Sequence, residues 1–285
     1  MKKILLLNLL CCWFFCLSAQ HKTFKVITYN IFEGMTLDTT ANKDLFVDWV
    51  KQQNPDILAL QEVNKFTQLT LETMARRYNH PYAVLLKEKG FPVALTSKFP
   101  IVNVQKVLDN MHHGFIRADI AGYNVVVLHL SPHKYWKRHE EIEVILQTAT
   151  TQANQHKTII MGDFNAISIA DGDFYANGKI LEKYVDMGKR YAYHDNLIDG
   201  KLDFGVHEKI VNQGYIDIFK LKHPTYDFTR PTLKTADEGR NASSRIDFIY
   251  VSKKMKSSVQ ESAIIKDAFT NYYSDHYPVM MVLKR

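Results

Sequence analysis

Cysteine is almost missing from this chain. Its three cysteines, Cys11, Cys12 and Cys16, all lie near the start. The remainder therefore has no thiol nucleophile, no cysteine-ligated zinc and no disulfide, and its stability has to come from an apolar core. Glycine (12) and proline (8) are sparse in 285 residues, which argues against a disordered or fibrous chain. No internal period of about 20–50 residues marks a repeat protein. Long Lys/Arg runs are absent too. The net charge is +6, two of it from Lys2 and Lys3, so the rest carries +4. That is compatible with an anionic substrate. It lacks the dense positive charge on which tight non-specific nucleic-acid binding draws. Even the longest apolar run, Ile4 to Leu17, is short for a membrane-spanning helix.

What is present begins with that run. Lys2 and Lys3, the apolar stretch and the small residues of Ser18-Ala19-Gln20 read as a secretory signal. Residues 1–19 are expected to be a signal peptide cut after Ala19, with an uncleaved anchor as the alternative. Residues 20–285 are then one exported domain, periplasmic or extracellular. An apolar fraction of 46% is enough for one large core. Asn241-Ala242-Ser243 has the glycosylation pattern, a triplet that also arises by chance.

Strands are predicted at Phe24–Tyr29, Ile57–Leu60, Val93–Thr96, Ile101–Val107, Ile116–Ile120, Asn124–Leu130, Thr158–Met161, Ile246–Val251 and Val279–Leu283. Helical spacing runs over 42–53, where Asn54-Pro55 stops it, and from an Asn64 cap to Tyr78. It is longest over 134–153, with Trp136, Ile142, Ile145, Leu146 and Ala149 on one side. Residues 167–213 read as a long irregular insertion, a kind of segment that serves as a lid or binding loop. Helices alternating with strands and hairpins point to mixed rather than purely parallel sheets.

Polar residues recur where these strands end: Asn30, Glu62, His129, Asp163, Asn165, Asp247, Asp275 and His276. Each alone has an ordinary explanation, as turn residue, solvated acid or hydrogen-bonded core histidine. Asp247 stands out between Ile246 and Phe248, because an acid inside a buried strand needs a partner. Oxygen-rich clusters at rigid strand ends suit a hard cation such as magnesium.

Tyr29-Asn30-Ile31, Leu60-Gln61-Glu62-Val63, Leu128-His129-Leu130, Gly162-Asp163-Phe164-Asn165, Arg245-Ile246-Asp247-Phe248 and Ser274-Asp275-His276 occur in this order. In this the chain resembles the endonuclease/exonuclease/phosphatase (DNase I-like) superfamily, over nearly all of the exported part. The resemblance implies a four-layer α/β/β/α sandwich of two packed mixed sheets with the site at one edge. It implies Mg2+, with Mn2+ as an alternative, held by Glu62 with Asn30 and Asp275 close by. Asp163 and Asn165 would lie near the attacking water and the phosphate. His276 would be a catalytic histidine oriented by Asp247. His129 would bind phosphate or donate a proton, and Arg117 would contact phosphate. Whether Asp163 or His276 takes the water proton stays open.

The implied activity is hydrolysis of phosphate esters, with phosphodiesters of nucleic acid favoured. Sphingomyelinase-like action on membrane lipid and inositol-phosphate-type substrates are the alternatives, and an inactive binding domain is a further one. No obligate protein partner is inferred. A lipid enzyme would present aromatic loops, for which Tyr191, Tyr193, Phe204, Tyr272 and Tyr273 are candidates. Tyr226, Phe228 and Arg230 either line a cleft or pack under the last strands.

Overall fold

The computed structural model describes residues 23–236 and 242–284. The expected signal peptide and Asn241 lie outside them. The strands run in chain order as β1 (Thr23–Asn30), β2 (Ile57–Gln61), β3 (Tyr82–Leu85), β4 (Ala94–Ser97), β5 (Ile101–Val107), β6 (Phe115–Ile120), β7 (Tyr123–His129) and β8 (Thr158–Asp163). A two-residue hairpin, β9 (Leu197–Ile198) with β10 (Lys201–Leu202), precedes β11 (Tyr215–Asp217), β12 (Asp247–Ser252), β13 (Val259–Ile264) and β14 (Val279–Lys284). Two six-stranded sheets result, ordered β13-β14-β1-β2-β4-β3 and β11-β12-β8-β7-β6-β5. Each contains one parallel pair, β1 with β2 and β7 with β8, among antiparallel neighbours.

The sheets pack face to face because their strands are apolar on both sides, as buried strands must be. Alternate residues of each strand go to different layers. Val26, Ile57 and Leu95 meet Val125, Ile159 and Ile249 between the sheets. Ile27, Leu58 and Leu60 face outward onto Phe46, Trp49 and Met74 of two helices. Val126, Ile160 and Tyr250 face outward onto Ile142, Ile145 and Ile210. Helix, sheet, sheet, helix is the four-layer sandwich that the motif order implies.

The helices are α1 (Phe32–Met35), a kinked turn, then α2 (Asp44–Gln53), α3 (Gln68–Arg77), α4 (Tyr135–Thr150), α5 (Gly172–Tyr175), α6 (Lys179–Arg190), α7 (Gly205–Asn212), α8 (Ile218–Lys222) and α9 (Thr270–Tyr273). Helix α3 starts later than the Asn64 cap suggested, because Thr67 and Thr70 make a reciprocal capping box. Trp136 is exposed rather than on the buried side of α4, whose inner face instead carries Arg138 and Glu141. Residues 167–213 are not irregular: they hold α5, α6, α7 and the small hairpin. Strands β3, β11 and β13 went unpredicted. All three are sheet edges; β3 and β13 are of mixed exposure, and β11 has only three residues.

Two buried histidines set an acid limit on this fold. His207 is bonded through Nδ1 to the Tyr250 hydroxyl (2.8 Å) and through Nε2 to the Ala166 carbonyl (3.1 Å). His80 spans Thr96 Oγ1 (2.8 Å) and the Pro55 carbonyl (2.9 Å). Burial holds His207 down at about 3 and His80 at about 4, against 6.5 for a free imidazole. Between those values the unfolded chain takes up protons that the folded chain refuses. Their contribution is complete above pH 6.5 and shrinks as pH falls. By pH 4 the loss at His207 alone is on the order of 3 kcal/mol. Urea midpoints should therefore drop from pH 7 to 4.5, and by about 2 kcal/mol less in His207→Gln. An identical drop in the variant would remove His207 as the cause.

Candidate active site

Strand direction gathers the polar residues. Because β1 and β2 are parallel, their C-terminal ends lie together, with Asn30 opposite Gln61 and Glu62 one residue on. The other parallel pair sets His129 opposite Asp163. Strand β12 runs the opposite way, so its first residue, Asp247, pairs with Asp163. Strand β14 is antiparallel to β1, which brings the preceding Asp275 and His276 to the same edge. Residues 244 positions apart in the chain thus become neighbours: the Ser274 hydroxyl donates to the Asn30 carbonyl at 2.7 Å, and the His276 amide to the Ser274 hydroxyl at 3.2 Å.

Two glycines permit the close approaches. Gly162, at φ +145°, lies so near β7 that a Cβ would meet the Leu128 carbonyl oxygen at 2.0 Å. At Gly34, φ +77°, a Cβ would sit 2.1 Å from the Asn64 carbonyl oxygen. This tight turn lets the Glu33 amide donate to Glu62 Oε2 at 2.9 Å. Glu62 and Asn165 are themselves left-handed, at φ +60° and +46°, a strain typical of residues held for a task.

The side chains interlock. Asn30 Nδ2 donates to Glu62 Oε1 and to Asp163 Oδ2, both at 3.1 Å. Asp163 Oδ1 accepts the Asn165 amide at 2.8 Å, and Asn165 Nδ2 donates to the Leu130 carbonyl at 3.0 Å. Asp247 has found its partner: its Oδ2 accepts from His276 Nδ1 at 2.8 Å. That leaves Nε2 of His276 3.9 Å from both Asp163 and Asp275. Burial works against charge on His276, but Asp247, Asp275 and Asp163 outweigh it and push the imidazole up to about 10. Asp163 is raised as well, but for a carboxyl that favours the neutral form. Burial, reinforced by Asp247 and opposed by His276, lifts its carboxyl to about 7. Burial also raises Glu62, partly offset by the Glu33 amide. At Asp275 burial is overcome by His276 and by Arg230, whose Nε and Nη2 donate to it at 3.1 and 3.0 Å, and the carboxyl falls.

His129 differs from His276. It lies 3.6 Å from Asp163 and is stacked on His113, ring centres 4.1 Å apart. Burial and the nearby cations hold it down at about 3, so it is neutral. Its Nδ1 is buried without a partner among the described residues.

Glu62, His129, Asp163, Asn165, Asp275 and His276 line a cleft of about 370 Å³, of whose lining Asn30 and Asp247 are not part. Its walls include residues that the sequence reading missed. His113 and His133 lie in turns with no periodic signal, and Lys183 and Tyr184 come from the misread insertion. Arg230, which the sequence left open, enters through its fork onto Asp275.

One expectation is corrected. Arg117 does not reach the cleft. It is buried on the helix-facing side of β6, two residues below the site end, bonded to Asn124 Oδ1 at 2.6 Å and paired with Asp119. An arginine in an apolar strand satisfies its own charge there as a structural group. Among the aromatic candidates, Tyr191, Tyr193 and Tyr272 are exposed, whereas Tyr273 is packed on Phe269 and bonded to Asp38. Tyr226 stacks on Phe174.

Several atoms suit a divalent cation. Asp275 Oδ1 and Asp247 Oδ1 are buried without hydrogen-bond partners among the described residues. Donor atoms of Asp163, Asp247 and His276 lie within 4.8 Å of one another. Yet His276 and Asp247 are committed to each other, and an imidazolium repels a cation. Glu62, bonded to the neutral donors Asn30 and the Glu33 amide, offers carboxylate oxygens without that conflict, and Asp275 keeps Oδ1 unengaged while its Oδ2 is gripped by Arg230.

Comparison with known proteins agrees with the geometry. The sequence profile of the Endonuclease/Exonuclease/phosphatase family matches residues 27–276. Among solved structures, an AP endonuclease from Archaeoglobus fulgidus aligns with a TM-score of 0.66 and 20% identity, covering 92% of this chain and 100% of that one. A 3′ phosphatase, NExo, from Neisseria, bound to product DNA hairpin, aligns with a TM-score of 0.65 and 22% identity, covering 90% and 98%. The 3′-5′ exonuclease NExo from Neisseria meningitidis gives 0.63 and 20%, covering 92% and 100%. The chain belongs to the endonuclease/exonuclease/phosphatase family and is a metal-dependent phosphoesterase hydrolase with the DNase I-like sandwich fold.

Proposed function

We propose that residues 20–285 form an exported, Mg2+-dependent phosphodiesterase that uses an in-line water, with nucleic acid as its first substrate class. The observation that carries this reading is the Asp247–His276–Asp163 arrangement beside Glu62, with His276 and Asp163 lining the cleft. Glu62 and Asp275 would hold the ion, with Asn30 steering Glu62. When bound, Mg2+ supplies Lewis-acid stabilisation of charge on the phosphoryl oxygens.

The chain's own groups do the rest. Asp163, raised toward neutrality and fixed by the Asn165 amide and Asn30, is the acceptor of the water proton. His276, held cationic by Asp247, presents Nε2–H to the phosphate and stabilises its growing charge. His129, neutral and with Nδ1 unengaged, contacts a phosphoryl oxygen or the departing oxygen. The water oxygen bonds to phosphorus as its proton passes to Asp163, the ester P–O bond breaks, and the leaving oxygen takes a proton from solvent. The DNA hairpin held by the Neisseria neighbour supports nucleic acid as the first choice. The exposed Tyr191, Tyr193 and Tyr272 keep a lipid phosphodiester as the second.

The test is nicking of supercoiled plasmid by the exported domain with Mg2+, with EDTA and His276→Ala as controls. Metal-dependent nicking that disappears in the variant supports a nuclease. Absence of nicking by folded, Mg2+-binding protein would reject nucleic acid and turn attention to sphingomyelin and inositol phosphates.

A further inference from the structure

The wall supplied by residues 167–213 is built into the fold rather than laid over it. Asp195 donates its amide to the His133 carbonyl and accepts from the Tyr135 amide, both at 2.7 Å. Arg138, buried in α4, donates to the Ser131 carbonyl (3.2 Å) and to Asn196 Oδ1 (2.8 Å). The rings of His133 and His194 meet edge to face, 4.8 Å apart. Helix α6 is then oriented by its own pattern. Ile180 is buried, Lys183, Tyr184 and Met187 line the cleft, and Glu182, Asp186, Lys189 and Arg190 face solvent.

Lys183 is the anomaly on this wall. It is half-buried, yet among the described residues it has no hydrogen bond or ion pair, and α6 turns both of its acids away, Asp186 onto Arg190. Its charged neighbour is another cation, Arg230, which together with burial draws the ammonium down to about 8. A lysine desolvated without a counter-charge is unfavourable unless an anion arrives. Arg230 keeps one arm of its guanidinium beyond the two nitrogens that grip Asp275. The scissile phosphate belongs beside Glu62, Asp163 and His276, whereas Lys183 lies on the wall that α6 gives the cleft, and Arg230 adjoins both through Asp275 and Lys183.

We propose that Lys183 and Arg230 form a subsite for a second, non-scissile phosphate of the substrate. The proposal rests on the phosphoesterase reading above and narrows it. A phosphate carries enough charge and enough acceptor oxygens to engage an ammonium and a guanidinium at once. Such a group comes from a small bisphosphate or from the terminal phosphate of a short oligonucleotide.

Kinetics with Mg2+ on matched pairs separates these. One pair is a nucleoside 3′,5′-bisphosphate against the corresponding 3′-monophosphate. The other is a tetranucleotide with and without a 5′-phosphate. The wild type should prefer the doubly phosphorylated member of at least one pair by about 10-fold or more in kcat/KM, chiefly through KM. The responding pair names the source. Lys183→Met should bring that ratio to within about 2-fold of unity, Lys183→Arg should keep most of it, and Lys189→Met, on the solvent face of α6, should leave it unchanged. A ratio untouched in Lys183→Met, or an equal fall on both members, would overturn the subsite. Titration calorimetry of the nucleoside bisphosphate and monophosphate covers a protein that turns over none of them. Lys183-dependent preference for the bisphosphate would keep the subsite and discard the phosphoesterase substrates tested. Equal or no binding would discard the subsite.

Discussion

Replacing His276 by alanine is expected to lower kcat by about 10³-fold, within the range for loss of a positioned acid–base group. The imidazole is buried, cationic and aimed: Nδ1 is fixed on Asp247 at 2.8 Å, and Nε2 lies 3.9 Å from both Asp163 and Asp275. No neighbour can take its place, because His129 is neutral and bound to a different wall. The variant leaves Asp247 buried without its partner, so stability should fall by roughly 3 kcal/mol as well. Rate and folding must therefore be measured together, by single-turnover kinetics and urea unfolding. Asp247→Asn keeps the shape and removes the charge, and should lose about 10²-fold in kcat. Groups that act as a unit are not additive, so the double variant Asp247→Asn/His276→Ala should be no slower than His276→Ala alone. Multiplying losses would mean that Asp247 works through something other than the histidine.

The second large effect concerns the metal. Glu62→Gln should raise the Mg2+ or Mn2+ concentration needed for half-maximal activity by at least about 100-fold, since even changing a group that only orients a metal ligand costs about 10- to 100-fold. The glutamine amide keeps one oxygen for the Glu33 amide, so the fold should persist. Direct Mn2+ binding, followed by paramagnetic resonance of the free ion, reads the same loss without turnover. The rival is the trio Asp163, Asp247 and His276, whose donor atoms are also clustered. If Asp247→Asn abolished ion binding while Glu62→Gln spared it, the ion would belong with the trio and the cationic role of His276 would fail.

Much of this site was legible before any coordinates, for a local reason. Strands buried on both faces spell near-continuous apolar runs, and a polar residue ending such a run has few reasons to be there. Asp247, flanked by Ile246 and Phe248, demanded a partner, and it has one in His276. The six ordered motifs carried the family and the four layers with them. The residues that stayed hidden are those whose role depends on where a side chain lands. Arg117 occupies a β6 position whose alternation turns it to the helix-facing side, where it is bonded to Asn124, away from the cleft. His113 becomes part of the site by stacking on His129, a contact between a loop and the end of β7. The insertion looked structureless because α6 is amphipathic over a short span rich in charge, with one buried residue, Ile180, to anchor it.

By itself, then, the sequence determined the apolar strands, the polar residues that end them and the lack of any thiol after Cys16. Those are properties of neighbouring residues, and local patterning encodes them. Only the tertiary structure decided that Asp163 and His276 are both raised, the one toward its neutral form and the other toward its charged form, that Arg230 turns to Asp275, and that Lys183 faces the cleft without a counter-charge. Each of these depends on the distance between charges far apart in the chain and on how much water the packing removes, and neither quantity is written in any local run of residues.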